Sequence, residues 1–324
     1  MNLNSLWILT VPCLWLAFFV PGAFAKPLVL VSVEPVALVV REVCGDQCEV
    51  MTLVPRGVSE HSWQPGPKDI IKAKSAVAAI AVGLDFDNKW LKNLLVPSSK
   101  TLWLGPSLSP MDWWSDDMSA RVSSPKIAHD NGHLNHKGKS EPDREHGDHD
   151  HNHGSKDPHI WTDAGRMGKA AGLSADHLSA LMPESAQGFK SRGKTISDRL
   201  IKLQLDVESR RQFWRTRPVV VFHDVVGYFA RRFNLPVLAV ETGASGHDLS
   251  AKMIADVSNR FKNSHPAVVM VERVDGAAKS LARELKTTVK QVDFAASGTY
   301  QNWDEWYLRL VQAWEDVLKS EGGR

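Results

Sequence analysis

From Lys26 onward the chain alternates, twice over, between short apolar runs rich in β-branched residues and segments with helical spacing. "LVLVSV" (28–33), "CEVMTLV" (48–54), "AVAAIAVG" (76–83) and "KTLWLG" (100–105) are the runs of the first half. "PVVVFH" (218–223), "PVLAVE" (236–241), "AVVMVE" (267–272) and "TVKQVD" (288–293) are those of the second. Apolar runs without polar alternation read as strands buried on both faces, the condition of a parallel sheet covered by helices. The sequence therefore predicts an α/β fold of two domains, each a roughly four-stranded, mainly parallel sheet flanked by helices.

A single long segment separates the halves. Pro183 opens "PESAQGFKSRGKTISDRLIKLQLDVESRRQFWR" (183–215), in which Leu200, Leu203, Val207 and Phe213 make an apolar stripe. Read as one helix it would be on the order of 45 Å long and would stiffen the link between the domains. Gly188 and Gly193 weaken its first turns. The expected organisation is an N-terminal α/β domain over 26–182, a connecting helix over 183–215 and a C-terminal α/β domain over 216–324.

The first 25 residues stand apart. Leu6 to Val20 are nearly all apolar and uncharged, Pro21 and Gly22 follow, and "AFA" (23–25) carries small residues where a signal peptidase needs them. The run is shorter than the ~20 apolar residues a membrane span requires. Residues 1–25 are expected to be a signal peptide cleaved before Lys26, which places the mature chain in the periplasm. In that oxidising compartment Cys44 and Cys48, in "CGDQC", are expected to pair as a disulfide; a two-thiolate metal site and two free thiols are the alternatives. Lys and Arg number 39 against 37 Asp and Glu, for a net charge of +2, without a long basic run. No nucleic-acid partner is expected.

Ligands of open α/β sheets bind beyond the carboxyl ends of the strands. That rule selects Glu60 and His61 in "VPRGVSEHSWQPGP", His223 in "FHD", Glu272, and Asp293, with His159 of "DPHIWTD" following a long insert. Converging on a cleft, three imidazoles and one oxygen donor suit tetrahedral Zn²⁺, although imidazole also binds Cu²⁺ and Ni²⁺. Asp157, Asp163 and Asp224 are placed to orient the rings, and Asp163 equally to cap a helix. The insert from Pro106 to about Asp157 lacks periodicity, and its His-rich loop, 123–155, contains "HGDHDHNHG" (146–154). His129, His133, His136, His146, His149, His151 and His153 are seven of the chain's 13 histidines. Ordering such a run into one tetrahedral shell costs ~1–2 kcal/mol per residue, so it is expected to hold metal weakly, as an accessory loop.

These blocks resemble the periplasmic metal-binding proteins of ABC importers for zinc and manganese. "VVVFHDVVGYFARRFNL" is the most specific match. "GDQCEVMTLVPRGVSEHSWQPGPKDI" and "DPHIWTDAGRMGKAAGLSADHLSALMPESAQGFKSR" look like that family's first and second ligand blocks. "VVMVERVDGAAKSLARELKTTVKQVDFAASGTYQNW" looks more loosely like the last. The resemblance implies His61, His159 and His223 as principal ligands, Asp293 at the fourth position, and Glu60 as a competing oxygen donor. A histidine at 223, where manganese members carry a carboxylate, implies the zinc branch, as does the His-rich insert. It further implies a non-enzymatic, monomeric carrier with one tight Zn²⁺ site. Its partners would be an inner-membrane permease and that permease's ATPase. A manganese carrier is the nearer alternative; a secreted zinc hydrolase with Glu60 as general base is the remoter one, for the chain has no HExxH motif or nucleophile elbow.

Overall fold

The computed structural model describes residues 25–60, 63–112, 156–240 and 250–319. In chain order the first half holds β1 (Leu28–Val31), α1 (Glu34–Cys44), β2 (Glu49–Thr52), α2 (Pro67–Lys74), β3 (Ala76–Ala81), α3 (Asn88–Asn93), β4 (Thr101–Trp103) and α4 (Leu104–Ser107). Two long helices follow, α5 (Ala164–Leu181) and α6 (Ala186–Arg210). The second half holds β5 (Val219–Val221), α7 (Gly227–Arg232), β6 (Val237–Ala239), α8 (Ala251–Phe261), β7 (Val268–Val271), α9 (Gly276–Glu284), β8 (Thr288–Gln291) and α10 (Trp303–Leu318). All eight apolar runs became strands, and every pairing is parallel, as expected.

The two sheets share one plan. Their strand orders are β2-β1-β3-β4 and β6-β5-β7-β8. In each, the chain leaves the first strand to one side and then crosses to the other, which opens a crevice past the strand ends where the connections diverge. Both faces of the second sheet are covered, and its residues alternate accordingly. Val219 and Val221 enter the larger core, while Val220 and Phe222 enter a smaller one beneath α8 and α9. The larger core runs without interruption from β1 through α5 and α6 to Trp303, Trp306 and Trp314 of α10. The two halves thus share packed apolar surface and are not beads on a string. Arg199 of α6 adds polar ties, pairing with Glu42 of α1 at 2.8 Å and with Asp304 of α10 at 2.9 Å.

The connecting helix differs in detail from the expectation. α6 has 25 residues and is bracketed by 3₁₀ turns at Pro183–Ser185 and Arg211–Phe213. Its buried stripe is Phe189, Gly193, Ile196, Leu200, Gln204 and Val207, not one running to Phe213. Phe213 falls in the 3₁₀ turn, where the helical phase is broken, and is 63% exposed. Gly193 is required by packing: a Cβ there would stand 2.5 Å from the Cβ of Ala175 on α5 and 3.1 Å from the Ala171 carbonyl. The residue that weakens the helix by propensity is the one that lets α5 lie against it.

Cys44 and Cys48, expected as a disulfide, stand as two buried free thiols. They interact: the hydrogen bond with Cys48, followed by burial, holds the Cys44 thiol far above the usual thiol range, whereas the same contact lowers Cys48. Arg192 of α6 donates to the carbonyls of Val43 and Cys44 at 2.8 and 3.0 Å and so caps the end of α1 beside them. The signal peptide expected over 1–25 lies outside the described residues except for Ala25. Among the described residues no helix is long and apolar enough to cross a membrane.

Candidate metal site

Three chain segments reach the crevice between the sheets, each delivered by local chemistry. After β2 the backbone stays in the ladder for two residues, Leu53 and Val54 donating to Val31 and Ser32 at 2.7 and 3.1 Å. It then turns, Val58 donating to Pro55, and presents Glu60. This loop is fastened beneath. Buried Glu34 accepts two bonds from Arg41 (2.8 and 2.9 Å), one from Thr52 (2.6 Å) and two from Arg56 (3.1 and 2.6 Å). Burial alone would raise the Glu34 carboxyl; the donors of Arg41, Thr52 and Arg56 outweigh it and hold the carboxyl below the usual range.

The second segment is an Asx turn. The Asp157 carboxylate accepts the His159 backbone N–H at 2.8 Å, with Pro158 fixing the backbone between them. The same oxygen, Oδ1, lies 2.8 Å from His159 Nδ1. A carboxylate there accepts a hydrogen bond from Nδ1–H and so favours the tautomer with a lone pair on Nε2, the one a metal requires. His159 is fully buried, with its ring edge-on to Trp161 at 5.1 Å. The third segment follows β5 in extended conformation, His223 having φ −138° and ψ 133°. Strand alternation sends Phe222 into the core and turns His223 toward the cleft.

Glu60, His159 and His223 each offer a ligand atom, and these atoms all lie within 4.8 Å of one another. His223 Nε2 is 3.9 Å from Glu60 Oε1, and the two imidazoles are perpendicular with centroids 5.0 Å apart. Donors at about 2.0–2.2 Å from a tetrahedral ion are themselves about 3.4 Å apart, so the set is close to the spacing a Zn²⁺ ion imposes. Imidazole and carboxylate donors in one largely buried cluster match the chemistry of that ion. His61, the expected first ligand, lies outside the described residues, as do His129, His133, His136, His146, His149, His151 and His153 of the accessory loop.

Asp293 is adjacent but outside that group of three. Its Oδ1 accepts from Ser297 N at 2.8 Å, and its Oδ2 from Gly298 N at 2.9 Å and the Tyr300 hydroxyl at 2.7 Å. The turn 293–298 that supplies these donors passes through Ala296 at a left-handed φ of 54°. Glu272 is exposed, yet neighbouring protein crowds its carboxyl. That desolvation, then the charges of Glu60 and Asp293, pushes its carboxyl up to about 8. Glu60, Glu272 and Asp293 are thus close enough to feel one another's charge, and a dication bound beside Glu60 would relieve that repulsion. Asp163 caps α5, accepting from Arg166 N at 2.8 Å, and pairs with Arg232 at 2.9 Å. It is a cap, the alternative that the sequence left open. Sequence reasoning did not single out Trp161, whose ring meets His159, or Tyr228, which bonds the Asp157 carbonyl from the other half; Tyr228 follows His223 by five residues, and that spacing was the available signal.

Residues 29–320 match the family model described as zinc-uptake complex component A, periplasmic (ZnuA). The chain is 25% identical over 278 residues to zinc-binding protein AdcA of Streptococcus pyogenes serotype M3, an alignment covering 81% of this chain and 49% of that protein. It is 25% identical over 221 residues to the high-affinity zinc uptake system protein ZnuA of Yersinia pestis, covering 67% of this chain and 66% of that one. The chain therefore spans about half the length of the AdcA relatives it matches. Its fold superposes on the crystal structure of ZnuA with a TM-score of 0.68 at 20% identity, over 90% of this chain and 98% of the other. With the family model matched across almost the whole chain, the protein belongs to the ZnuA family of periplasmic zinc-uptake components.

Proposed function

We propose that the protein captures Zn²⁺ in the periplasm and delivers it to the permease of an ABC importer, which its ATPase drives. The carrying observation is the meeting of Glu60, His159 and His223 in one cluster, two of them buried and His223 partly exposed. In this reading His61, His159 and His223 are the imidazole ligands, and Glu60 or Asp293 completes the shell. The protein performs no chemistry on its cargo. Histidine at 223 favours zinc over the harder Mn²⁺, which prefers oxygen donors. The packed core shared through α5, α6 and α10 supports capture with little hinge motion. Such a site is nearly preformed and loses little ordering entropy on binding. The His-rich loop is assigned an accessory role, holding further zinc weakly.

Titration of the metal-free full chain with Zn²⁺ and with Mn²⁺, followed by calorimetry and thermal melting, tests the reading. One tight zinc equivalent, with a larger melting shift for zinc than for manganese, is expected. A larger shift for Mn²⁺ would sink the zinc assignment, and absence of any tight equivalent would sink the carrier.

A further inference from the structure

The segment that bears His159 is held by a residue from the opposite half of the molecule. Tyr228 lies on α7, five residues after His223, and is 1% exposed. Its hydroxyl donates to the Asp157 carbonyl at 2.7 Å and accepts from the Met111 N–H at 3.2 Å. Asp157 N donates in turn to the Met111 carbonyl at 2.9 Å, and Lys156 pairs with Asp112 at 2.6 Å. One phenolic oxygen thus fastens both chain segments that flank residues 113–155. The guanidinium of Arg166 lies over the phenol ring, 4.4 Å from its centroid, and donates to the carbonyls of Leu108 and Ser109 at 3.2 and 3.1 Å.

This clasp ends on the residue that sets the ligand. The carbonyl of Asp157 takes the Tyr228 proton, while its carboxylate holds His159 N and Nδ1. Asp157 is therefore fixed at both its main chain and its side chain. Of the two bonds on its main chain, the one to the carbonyl comes from the helix just after His223. A hydroxyl on a helix of one half thus bonds the segment that carries His159 in the other. A tyrosine so buried has no packing need for the hydroxyl, since phenylalanine would fill the same space.

Resting on the metal-site reading above, we propose that Tyr228 is a positioning residue for the zinc site: through Asp157 it locks the His159 imidazole in register with His223. Removing its hydroxyl leaves the Asp157 main chain held only through its N–H bond to Met111, lets the Asx turn rock, and so loosens His159 without removing any ligand. Groups that orient metal-binding histidines typically contribute about 10–100-fold in affinity; Tyr228 acts one bond further out, and a loss of about 10-fold is expected for Tyr228→Phe.

The test compares the full-length wild type with Tyr228→Phe, by the rate at which a chelator removes Zn²⁺ and by the visible d–d absorption of the Co²⁺-loaded proteins. Faster zinc release with an altered cobalt spectrum, at near-unchanged melting temperature of the metal-free protein, is the expected result. Unchanged release and spectrum in a wild type that binds one tight zinc overturn the role of Tyr228 and leave the carrier intact. A wild type that binds no tight zinc overturns the site reading itself, and the positioning role with it. Should Tyr228→Phe fail to fold, Arg166→Gln decides: it removes the cation over the ring, the bonds to Leu108 and Ser109 and the ion pair with Asp163, leaving the phenol in the core. Faster release in that variant supports the clasp, and release at the wild-type rate overturns it.

Discussion

At the scale of single residues, the site is built from side chains that are themselves held. His159 is the clearest case, because one carboxylate oxygen of Asp157 fixes both its main chain and its ring. Asp157→Asn puts an amide where the Nδ1 proton is accepted and removes the charge that sets the tautomer. Zinc affinity is expected to fall about 10–100-fold, with the fold unchanged, as calorimetry and circular dichroism would show. Glu34 carries a second prediction, about acid. Its folded carboxyl lies below its ordinary value of 4.5. A depressed carboxylate contributes stability that is fully present above the unfolded value and is lost as pH falls through the folded one. Glu34→Gln should therefore cost on the order of 2 kcal/mol near neutrality, where Arg41 and Arg56 lose their charged acceptor. The cost should shrink steadily below pH 4.5, and denaturant melts across pH 3–7 measure it. A constant cost over that range would show that the ionised carboxylate is not what holds the loop of Glu60.

At the scale of elements, legibility in the sequence followed the range of the interaction. Strands were plain because a strand buried on both faces must be apolar along its length, so "PVVVFH" declares itself within six residues. His223 was equally plain, since alternation alone aims it opposite to Phe222. The stripe of α6 was partly misread, because Phe213 has the right residue type but lies past the point where the helix tightens to a 3₁₀ turn. Gly193 was misread for a related reason. Propensity sees only the cost of glycine within a helix, whereas its cause is Ala175 on another helix. Gly193→Ala is accordingly expected to destabilise the protein by about 1–3 kcal/mol despite better propensity, by forcing α5 and α6 apart. Differential scanning calorimetry on the metal-free protein checks it, with a fall of several degrees expected. A rise would mean that the helices have room to spare. The thiol pair was illegible in another sense, because spacing in "CGDQC" gives proximity and says nothing of oxidation state.

At the scale of the molecule, the two halves repeat one sheet order, and the site draws on both. Ligand sets assembled across such a crevice depend on how the halves are fixed. Here the fixing is a shared core together with specific ties: Trp161 Nε1 to the Phe294 carbonyl at 3.3 Å, Arg232 to Asp163, and Arg199 to both Glu42 and Asp304. None of these pairs is close in sequence, which is why the cleft could be inferred but its rigidity could not. Asp112 and Lys156 meet in an antiparallel bridge and an ion pair, so the chain on either side of residues 113–155 is already joined before His159 is reached. A deletion of 129–153 removes seven histidines without touching that junction. The shortened chain should retain one zinc per molecule after exhaustive dialysis, while the weaker equivalents of the full-length chain disappear; metal analysis by mass spectrometry counts both. At about 100 times the dissociation constant, bound zinc should still add roughly 2.7 kcal/mol to its stability. If the tight equivalent vanished with the loop, His159 and His223 would not be enough to hold the ion, for the contacts that position them among the described residues all lie outside the deleted segment.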